Sequence, residues 1–244
     1  MRWRMSRSPA KRPKPRIPHN TRIYAIGDVH GRADLLHEMF SAIDDSLITN
    51  PVHRAVQILM GDYIDRGPDS REVIDALIAR ARRHTMIYLK GNHESYAMQF
   101  LTDPAVLAEW QKVGGADTLR SYGLKPSNTR SAKMIATAFR EAIPESHLRF
   151  LRGLSLSFTC GDFFFTHAGV RPGIPLAKQT EQDLLWIREE FLLHEEDFDK
   201  IIVHGHTPSE EPEVRSNRIN IDTGAYATGR LTCLILQGDQ MVVV

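Results

Sequence analysis

Acidic and basic side chains are crowded into one short loop of this sequence. Residues 61–67 place Asp62, Asp65 and Arg66 between two glycines. Two carboxylates this close repel each other in a dry site unless a cation lies near them. The loop follows an apolar run at residues 56–60, which is typical of a buried strand. Open α/β sheets bind ligands at the carboxyl ends of their strands, so we expect a site here.

Four further loops carry carboxylate, imidazole or amide side chains, and each of them follows a strand-like segment. Such groups suit divalent manganese, iron or zinc better than they suit thiophilic metals. The polar residues collected in this way are Asp28, His30, Asp62, Asp65, Asn92, His93, His167 and His206.

The donor set favours two metal ions that share one carboxylate. If Asp62 bridges, one ion takes Asp28, His30 and Asp62. The second ion takes Asp62, Asn92, His167 and His206. Two such ions, about 3.5–4 Å apart, would acidify a bridging water and hold both oxygens of an in-line displacement at phosphorus.

The segments around these loops predict an α/β domain. Strand-like segments at 22–26, 56–60 and 85–89 each lead through a polar loop into a helical pattern, which predicts right-handed βαβ units and a mostly parallel sheet. The last third of the chain has short β-type runs, interrupted by one predicted helix at 181–193. Residues 95–152 have a mainly helical pattern, which fits either a cap beside the site or a plain packing subdomain.

Composition is that of an ordinary folded protein with one basic end. The chain has 244 residues, 42% hydrophobic and 25% charged, with a net charge of +1. Residues 1–16 hold seven basic residues and no acidic one. We interpret 1–20 as a disordered basic arm and 21–244 as a single domain. A solvated tail is preferred over contact with nucleic acid or acidic lipid, so no stable nucleic-acid partner is expected.

Two cysteines are too few for a disulfide framework or a thiolate zinc site, and they suit a reducing cytoplasm. No apolar run reaches the roughly 18 residues that a membrane-spanning helix needs. These features predict a cytoplasmic protein without a membrane span, and they leave the oligomeric state open.

Three of the loop motifs resemble the signatures of the calcineurin-like metallophosphoesterases. They are GDVHG at 27–31, GDYIDRG at 61–67 and GNHE at 91–94. More narrowly, the chain resembles the PPP family of serine/threonine protein phosphatases, of the bacterial and phage lambda type. The similarity extends from about residue 22 to 237 and is weakest in the helical middle.

This resemblance implies a four-layer α/β/β/α sandwich of two mixed sheets, with a helical insert at 95–152. It implies two divalent metal ions between the loop ends of the sheets, with manganese expected and iron or zinc as alternatives. His93 matches the general acid and Asp65 the carboxylate that orients it. Arg66 and Arg188 match guanidinium groups that bind phosphoryl oxygens.

The sequence departs from the family pattern at two positions. Lys90 stands where many relatives carry arginine, so we assign it no phosphate contact. Pro208 replaces a second histidine found in wider relatives, so the first ion is expected to have three protein ligands. We interpret His204 as a structural histidine at a strand end, Glu94 as a brace for the helix that follows it, and Tyr226 as a packed tyrosine.

The resemblance implies a metal-dependent phosphomonoesterase. The first hypothesis is a serine/threonine phosphoprotein phosphatase. Its substrate would be a phosphoprotein or phosphopeptide, attacked directly by a metal-bridging hydroxide. The alternative is a symmetrical bis(5'-nucleosyl)-tetraphosphatase or another small-molecule phosphatase. Asp65 and Glu94 favour the first hypothesis, because symmetrical tetraphosphatases typically lack the former acid and carry aspartate in place of the latter. A nucleic-acid-binding module is disfavoured, since every metal ligand is present.

Overall fold

The computed structural model describes residues 14–125 and 131–244, which form two sheets and a set of helices. The strands are β1 (Thr21–Ile26), β2 (Arg54–Leu59), β3 (Thr85–Tyr88), β4 (Ser157–Cys160), β5 (Phe163–Thr166), β6 (Ile201–His204), β7 (Glu213–Val214), β8 (Arg218–Asn220), β9 (Cys233–Gln237) and β10 (Gln240–Val243). The α-helices are α1 (Ala33–Thr49), α2 (Ser70–Arg80), α3 (Asn92–Phe100), α4 (Leu107–Lys112), α5 (Gly115–Ser121), α6 (Ala132–Ala142), α7 (Glu145–Arg152), α8 (Glu181–Trp186), α9 (Glu189–Leu192) and α10 (Ala225–Thr228).

Both sheets are mixed, as the family resemblance implied. The first has the order β10-β9-β1-β2-β3, parallel from β1 to β3 and antiparallel at β9 and β10. The second has the order β4-β5-β6-β8-β7, parallel from β5 to β8 and antiparallel at both edges. The βαβ pattern therefore predicted the three parallel strands β1 to β3 of the first sheet correctly and did not predict the antiparallel strands β9 and β10.

Alternating side chains divide the interior into three hydrophobic cores. On β1, Ile23 faces a core shared with Phe165 of β5, whereas Tyr24 faces the core beneath α1 and α2. On β5, Phe164 faces a third core that contains residues of α8 and α9. Because successive residues of a strand point to opposite faces, these cores separate four layers in the order helices, sheet, sheet, helices.

The predicted insert is helical and packs on the outer face of the first sheet. Rings of Phe100, Trp110 and Phe139 lie 5.3–6.3 Å apart within the same core as Tyr24. Gly114, with a left-handed φ of 111°, lies between α4 and α5, and Gly115 is the first residue of α5. Residues 126–130 of the insert lie outside the described residues.

The helix predicted at 181–193 is two short helices instead of one. Ile187 leaves the helical conformation with φ −60° and ψ 142°. This extended backbone lets Ile187 bury its side chain in the third core. Because of this interruption, Arg188 lies between the two helices and not on the surface of one continuous helix. Helical periodicity alone did not indicate this position.

Part of the predicted basic arm lies against the folded body. Ile17 is buried and its N–H donates to the carbonyl oxygen of Gly238 at 3.0 Å. The N–H of Arg16 donates to the Asp162 carboxylate at 2.9 Å. Arg16 and Ile17 therefore attach this part of the arm to the domain, while the residues of 14–20 other than Ile17 are exposed. Residues 1–13 of the arm lie outside the described residues. None of the helices in the described ranges has the length and hydropathy to span a bilayer.

Candidate metal centre

Loops from both sheets meet at one end of the sandwich, and they carry the predicted ligands. The N–H of His206, after β6, donates to Asp28 Oδ2, after β1, at 3.0 Å. His167, after β5, places Nε2 3.4 Å from Asp62 Oδ1, after β2. Polar residues that are far apart in sequence therefore converge on one small buried volume.

Asp62 lies in the middle of this volume and directs its two oxygens to different neighbours. Oδ2 lies 3.5 Å from His30 Nε2 and 3.7 Å from His93 Nε2. Oδ1 faces His167 Nε2 on the other side. Although burial opposes its ionisation, the surrounding histidines hold the pKa of Asp62 below its ordinary value. A carboxylate in this position is suited to bridging two cations.

Two groups of ligand atoms surround Asp62, and in each group the atoms lie within 4.8 Å of one another. The groups are His30, Asp62 and His93, and Asp62, His167 and His206. Asn92 Oδ1 joins the second group, at 3.0 Å from His167 Nε2 and 2.9 Å from His206 Nδ1. The second predicted ligand set therefore converges as expected. The first group contains His93 together with the predicted His30 and Asp62, and it does not include Asp28.

Asp28 is buried beside this first group, and its environment favours a cation. Oδ1 of Asp28 and Nε2 of His206 have no hydrogen-bond partner among the described residues. Burial, together with the neighbouring Asp222 and Asp62 carboxyl groups, raises the pKa of Asp28 well above its usual range. Buried, unpaired acceptors and crowded acids are relieved by divalent cations, so the donor set fits a metal centre.

Two histidines are held as neutral ligands by backbone carbonyl groups. The Nδ1–H of His30 donates to the Ile64 oxygen at 2.9 Å, and that of His167 donates to the Met60 oxygen at 2.9 Å. Each Nε2 is then an unprotonated atom that faces the centre. Burial lowers the pKa of His30 to about 3 and also lowers that of His167, so both rings are neutral near pH 7.

His93 differs from these ligands because its Nδ1 meets a carboxylate. Nδ1 lies 2.7 Å from Asp65 Oδ2, and both side chains are buried. Burial alone would lower the pKa of His93, but the Asp62 and Asp65 carboxylates together raise it above its ordinary value. His93 is therefore suited to carrying a proton.

The loops adopt unfavourable backbone conformations at the centre itself. Left-handed φ angles occur at His30 (46°), Asp62 (49°), Asp65 (72°), Arg66 (66°) and His206 (67°). In the described part of the chain, Asn20 is the only other non-glycine residue with positive φ. Such conformations cost about 1–3 kcal/mol each and persist only where the surroundings enforce them.

Glu94 stabilises the backbone of the loop that contains Asp62. Its fully buried carboxylate accepts the N–H groups of Asp62 at 3.0 Å, Tyr63 at 2.8 Å and Gly91 at 2.9 Å. Gly91 permits the close approach, since a Cβ there would lie 2.1 Å from Asp62 Oδ1. The sequence predicted only a brace for the following helix, whereas Glu94 also fixes the loop that carries Asp62.

The two predicted phosphate-binding arginines lie at the rim. Arg66 Nη2 is 3.5 Å from His93 Nε2, and its guanidinium lies 4.5 Å from the ring centroid of Tyr226. Tyr226 is 37% exposed, and its ring packs 5.3 Å from that of His30, so the tyrosine is packed on one side and open to solvent on the other. Arg188 is exposed, and its Nη1 donates to Thr207 Oγ1 at 3.1 Å.

The residues given no metal role have structural partners. Lys90 pairs with Glu181 at 2.6 Å. His204 is buried, its Nδ1 lies 3.1 Å from the Gly205 oxygen, and its ring packs 4.9 Å from that of Phe191. Its place at the end of β6 agrees with the predicted structural histidine.

Sequence reasoning missed three residues that surround the predicted ones. Asp222 lies close enough to Asp28 to raise its pKa. Trp110 Nε1 donates to Asp65 Oδ2 at 2.8 Å, and the Thr118 hydroxyl donates to Asp65 Oδ1. Trp110 and Thr118 belong to the insert, where no motif marks them. Asp222 lies in an IDTG run at residues 221–224, inside the span over which the sequence resembles the family.

The model of the calcineurin-like phosphoesterase family matches residues 21–234, so the chain belongs to this family. The resemblance seen in the sequence is thereby confirmed. The protein is a metal-dependent phosphoesterase, and its two ligand groups fit the dinuclear centre of the family.

Proteins that are named for different substrates resemble this chain in sequence or in fold. An asymmetrical bis(5'-nucleosyl)-tetraphosphatase, PrpE, from Anoxybacillus flavithermus is 27% identical over 86% of this chain and 88% of its own length. A putative diadenosine tetraphosphatase structure superposes with a TM-score of 0.63 at 18% identity, covering 91% of this chain and 92% of its own. A protein serine/threonine phosphatase from Saccharomyces cerevisiae gives a TM-score of 0.55 at 16% identity, covering 92% of this chain and 79% of its own.

Proposed function

We propose that the protein is a phosphomonoesterase that acts on phosphoserine and phosphothreonine in proteins or peptides. The observation that carries this proposal is the His93–Asp65 pair, 2.7 Å apart and buried beside Asp62. A serine or threonine alkoxide is a poor leaving group and needs a proton as its bond to phosphorus breaks. A charged imidazole at the edge of the metal centre supplies that proton.

The cations would be held by Asp28, His30, Asp62, Asn92, His167 and His206, with manganese as the expected metal. When bound, two divalent cations acidify a water molecule and neutralise charge on the phosphoryl group.

The remaining chemistry belongs to the chain's own side chains. The guanidinium groups of Arg66 and Arg188 bind the non-bridging phosphoryl oxygens in planar geometry. His93 delivers the proton from Nε2 to the leaving oxygen, while Asp65 accepts the hydrogen bond of Nδ1–H and stabilises the imidazolium. Arg66 has a left-handed φ of 66°, and its Nη2 lies 3.5 Å from Nε2 of His93. The arginine is therefore placed next to the atom that donates the proton.

His93→Asn tests this assignment directly. With a phosphoserine peptide, kcat is expected to fall by roughly 10²–10⁴ while KM changes little, because asparagine cannot act as the acid. His37→Asn is the matched control, since His37 lies on the surface against Glu72 at 3.3 Å. An unchanged kcat in the first variant would remove His93 from the mechanism.

A second candidate function is hydrolysis of dinucleoside tetraphosphates, and the names of the curated relatives favour it. Those names specify asymmetrical cleavage, whereas the sequence had suggested the symmetrical type as the alternative. The leaving group would then be a nucleotide phosphate, which departs without strong acid assistance. His93→Asn should therefore lower kcat much less with this substrate.

A substrate panel separates the two candidates. Purified protein with manganese would be assayed on a phosphoserine peptide, p-nitrophenyl phosphate and diadenosine tetraphosphate. Product chromatography distinguishes asymmetrical cleavage, which gives a monophosphate and a triphosphate, from symmetrical cleavage into two diphosphates. A kcat/KM on the tetraphosphate far above that on the peptide would overturn the phosphomonoesterase proposal.

A further inference from the structure

The carboxylate of Asp65 is surrounded by donors on both of its oxygens. Oδ2 accepts the Nδ1–H of His93 at 2.7 Å and the indole N–H of Trp110 at 2.8 Å, while Oδ1 accepts the hydroxyl of Thr118. Asp65 is 0% exposed, so bulk solvent does not reach its carboxylate. Two of the three donors come from the insert.

Thr118 also holds the backbone of Asp65. Its Oγ1 accepts the N–H of Asp65 at 2.9 Å, and Ser70 Oγ lies near both, at 3.0 Å from that nitrogen and 3.1 Å from Thr118 Oγ1. Asp65 has a φ of 72°, a conformation that needs support. Thr118 therefore fixes both the strained backbone and the carboxylate that it carries.

Packing keeps the indole of Trp110 in place. The side chain is 0% exposed, and its ring lies 5.3 Å from Phe100 and 5.7 Å from Phe139. A Cβ at Gly115 would lie 2.5 Å from indole Cδ2, so only glycine leaves room for the ring. An indole packed on these sides presents its N–H in one direction, toward Asp65.

These donors also support the negative charge of Asp65. Burial holds the pKa of Asp65 above its ordinary value, and the hydrogen bonds from His93, Thr118 and Trp110 act in the opposite direction.

We propose that Trp110 and Thr118 are positioning residues, through which the helical insert holds Asp65 as the oriented acceptor of His93. The proposal rests on the proposed function, in which His93 is the general acid. It gives the insert a role in proton transfer, beyond the cap or packing subdomain that its sequence suggested.

Leaving groups of different basicity provide the test. For Trp110→Phe and Thr118→Val we expect kcat to fall about tenfold or more with a phosphoserine peptide, and less than about threefold with p-nitrophenyl phosphate. An aryl oxide leaves readily without a proton, so damage to the acid affects it least. General misfolding would lower both rates together. Thr118→Ser keeps the hydroxyl and should retain most of the activity.

Tyr122→Phe is the matched control, because it removes another buried hydrogen bond of the insert, to His147 at 2.8 Å. It should leave the ratio of the two rates unchanged. A second readout is nitrogen-15 NMR of histidine-labelled, metal-free protein, in which the His93 ring signals should shift in Trp110→Phe and stay in place in Tyr122→Phe.

Equal losses with both substrates, together with unshifted His93 signals, would overturn the inference. His93→Asn tells this failure apart from failure of the proposed function. If His93→Asn shows the leaving-group dependence and Trp110→Phe does not, only the role of the insert is wrong. If neither variant shows it, the general-acid assignment is wrong as well.

Discussion

Replacing Glu94 by glutamine should loosen the loop that presents Asp62. The carboxylate of Glu94 uses Oε2 to accept the N–H groups of Asp62 and Gly91, and Oε1 to accept that of Tyr63. Glutamine has one acceptor oxygen where the carboxylate has two. Its amide nitrogen must therefore face at least one of these buried N–H donors.

The size of the effect follows from that single mismatch. A hydrogen bond to a charged acceptor contributes about 1.5–3 kcal/mol, and a buried donor left unpaired costs about 1–3 kcal/mol. With the amide oxygen of the variant kept on Asp62 and Gly91, the N–H of Tyr63 loses its partner, and so does the N–H of Ile64, which makes a longer contact of 3.4 Å with the same oxygen. We therefore expect Glu94→Gln to lower the free energy of unfolding by about 2–4 kcal/mol.

Urea denaturation of the metal-free protein, followed by circular dichroism, measures this change. Calorimetric titration should show that the affinity for manganese is lowered by about 10–100-fold, because the loop that carries Asp62 is less firmly fixed by hydrogen bonds to residue 94. Glu109→Gln is the control, since its side chain is 62% exposed and pairs only with Lys112 among the described contacts. A Glu94→Gln protein within about 0.5 kcal/mol of the parent would refute the bracing argument.

Three further outcomes are expected. Gly205→Ala would place a Cβ 2.1 Å from Asp28 Oδ1, so manganese affinity measured by calorimetry should fall at least about tenfold. Arg188→Ala should raise KM for a phosphopeptide about tenfold in steady-state assays, through loss of a charged hydrogen bond. Asp44→Asn should lower stability in urea by about 0.5–1 kcal/mol at pH 7, a small effect because Asp44 is 42% exposed. Its hydrogen bonds from Arg80 lower the pKa of Asp44, so this contribution should be present above about pH 4 and be lost as the pH falls further.

The ligand loops could be predicted because the residues that identify each loop lie within a few positions of one another in the sequence. Asp28 and His30 share one motif, as do Asp62 and Asp65, and each motif directly follows a strand. Parallel strands that end at one edge bring such loops together without any detailed knowledge of side chains.

The contacts that support these loops could not be predicted in the same way. Trp110 and Asp65 are 45 positions apart, and the helical pattern of the insert marks Trp110 only as apolar. Its N–H is used because the insert packs at one particular angle, which depends on tertiary contacts. The break at Ile187 has a similar origin, since a buried side chain overrides the helical periodicity around it.

The division of the ligands between the two sheets has a consequence for synthesis of the chain. Asp28, Asp62 and Asn92 emerge from the ribosome early, whereas His206 follows 114 positions after Asn92. At about 5–20 residues per second, Asn92 precedes His206 by roughly 6–23 s. During that interval Asp28, Asp62 and Asn92 are present without His206, so we expect metal loading to be completed only after β6 and the residue that follows it have been translated.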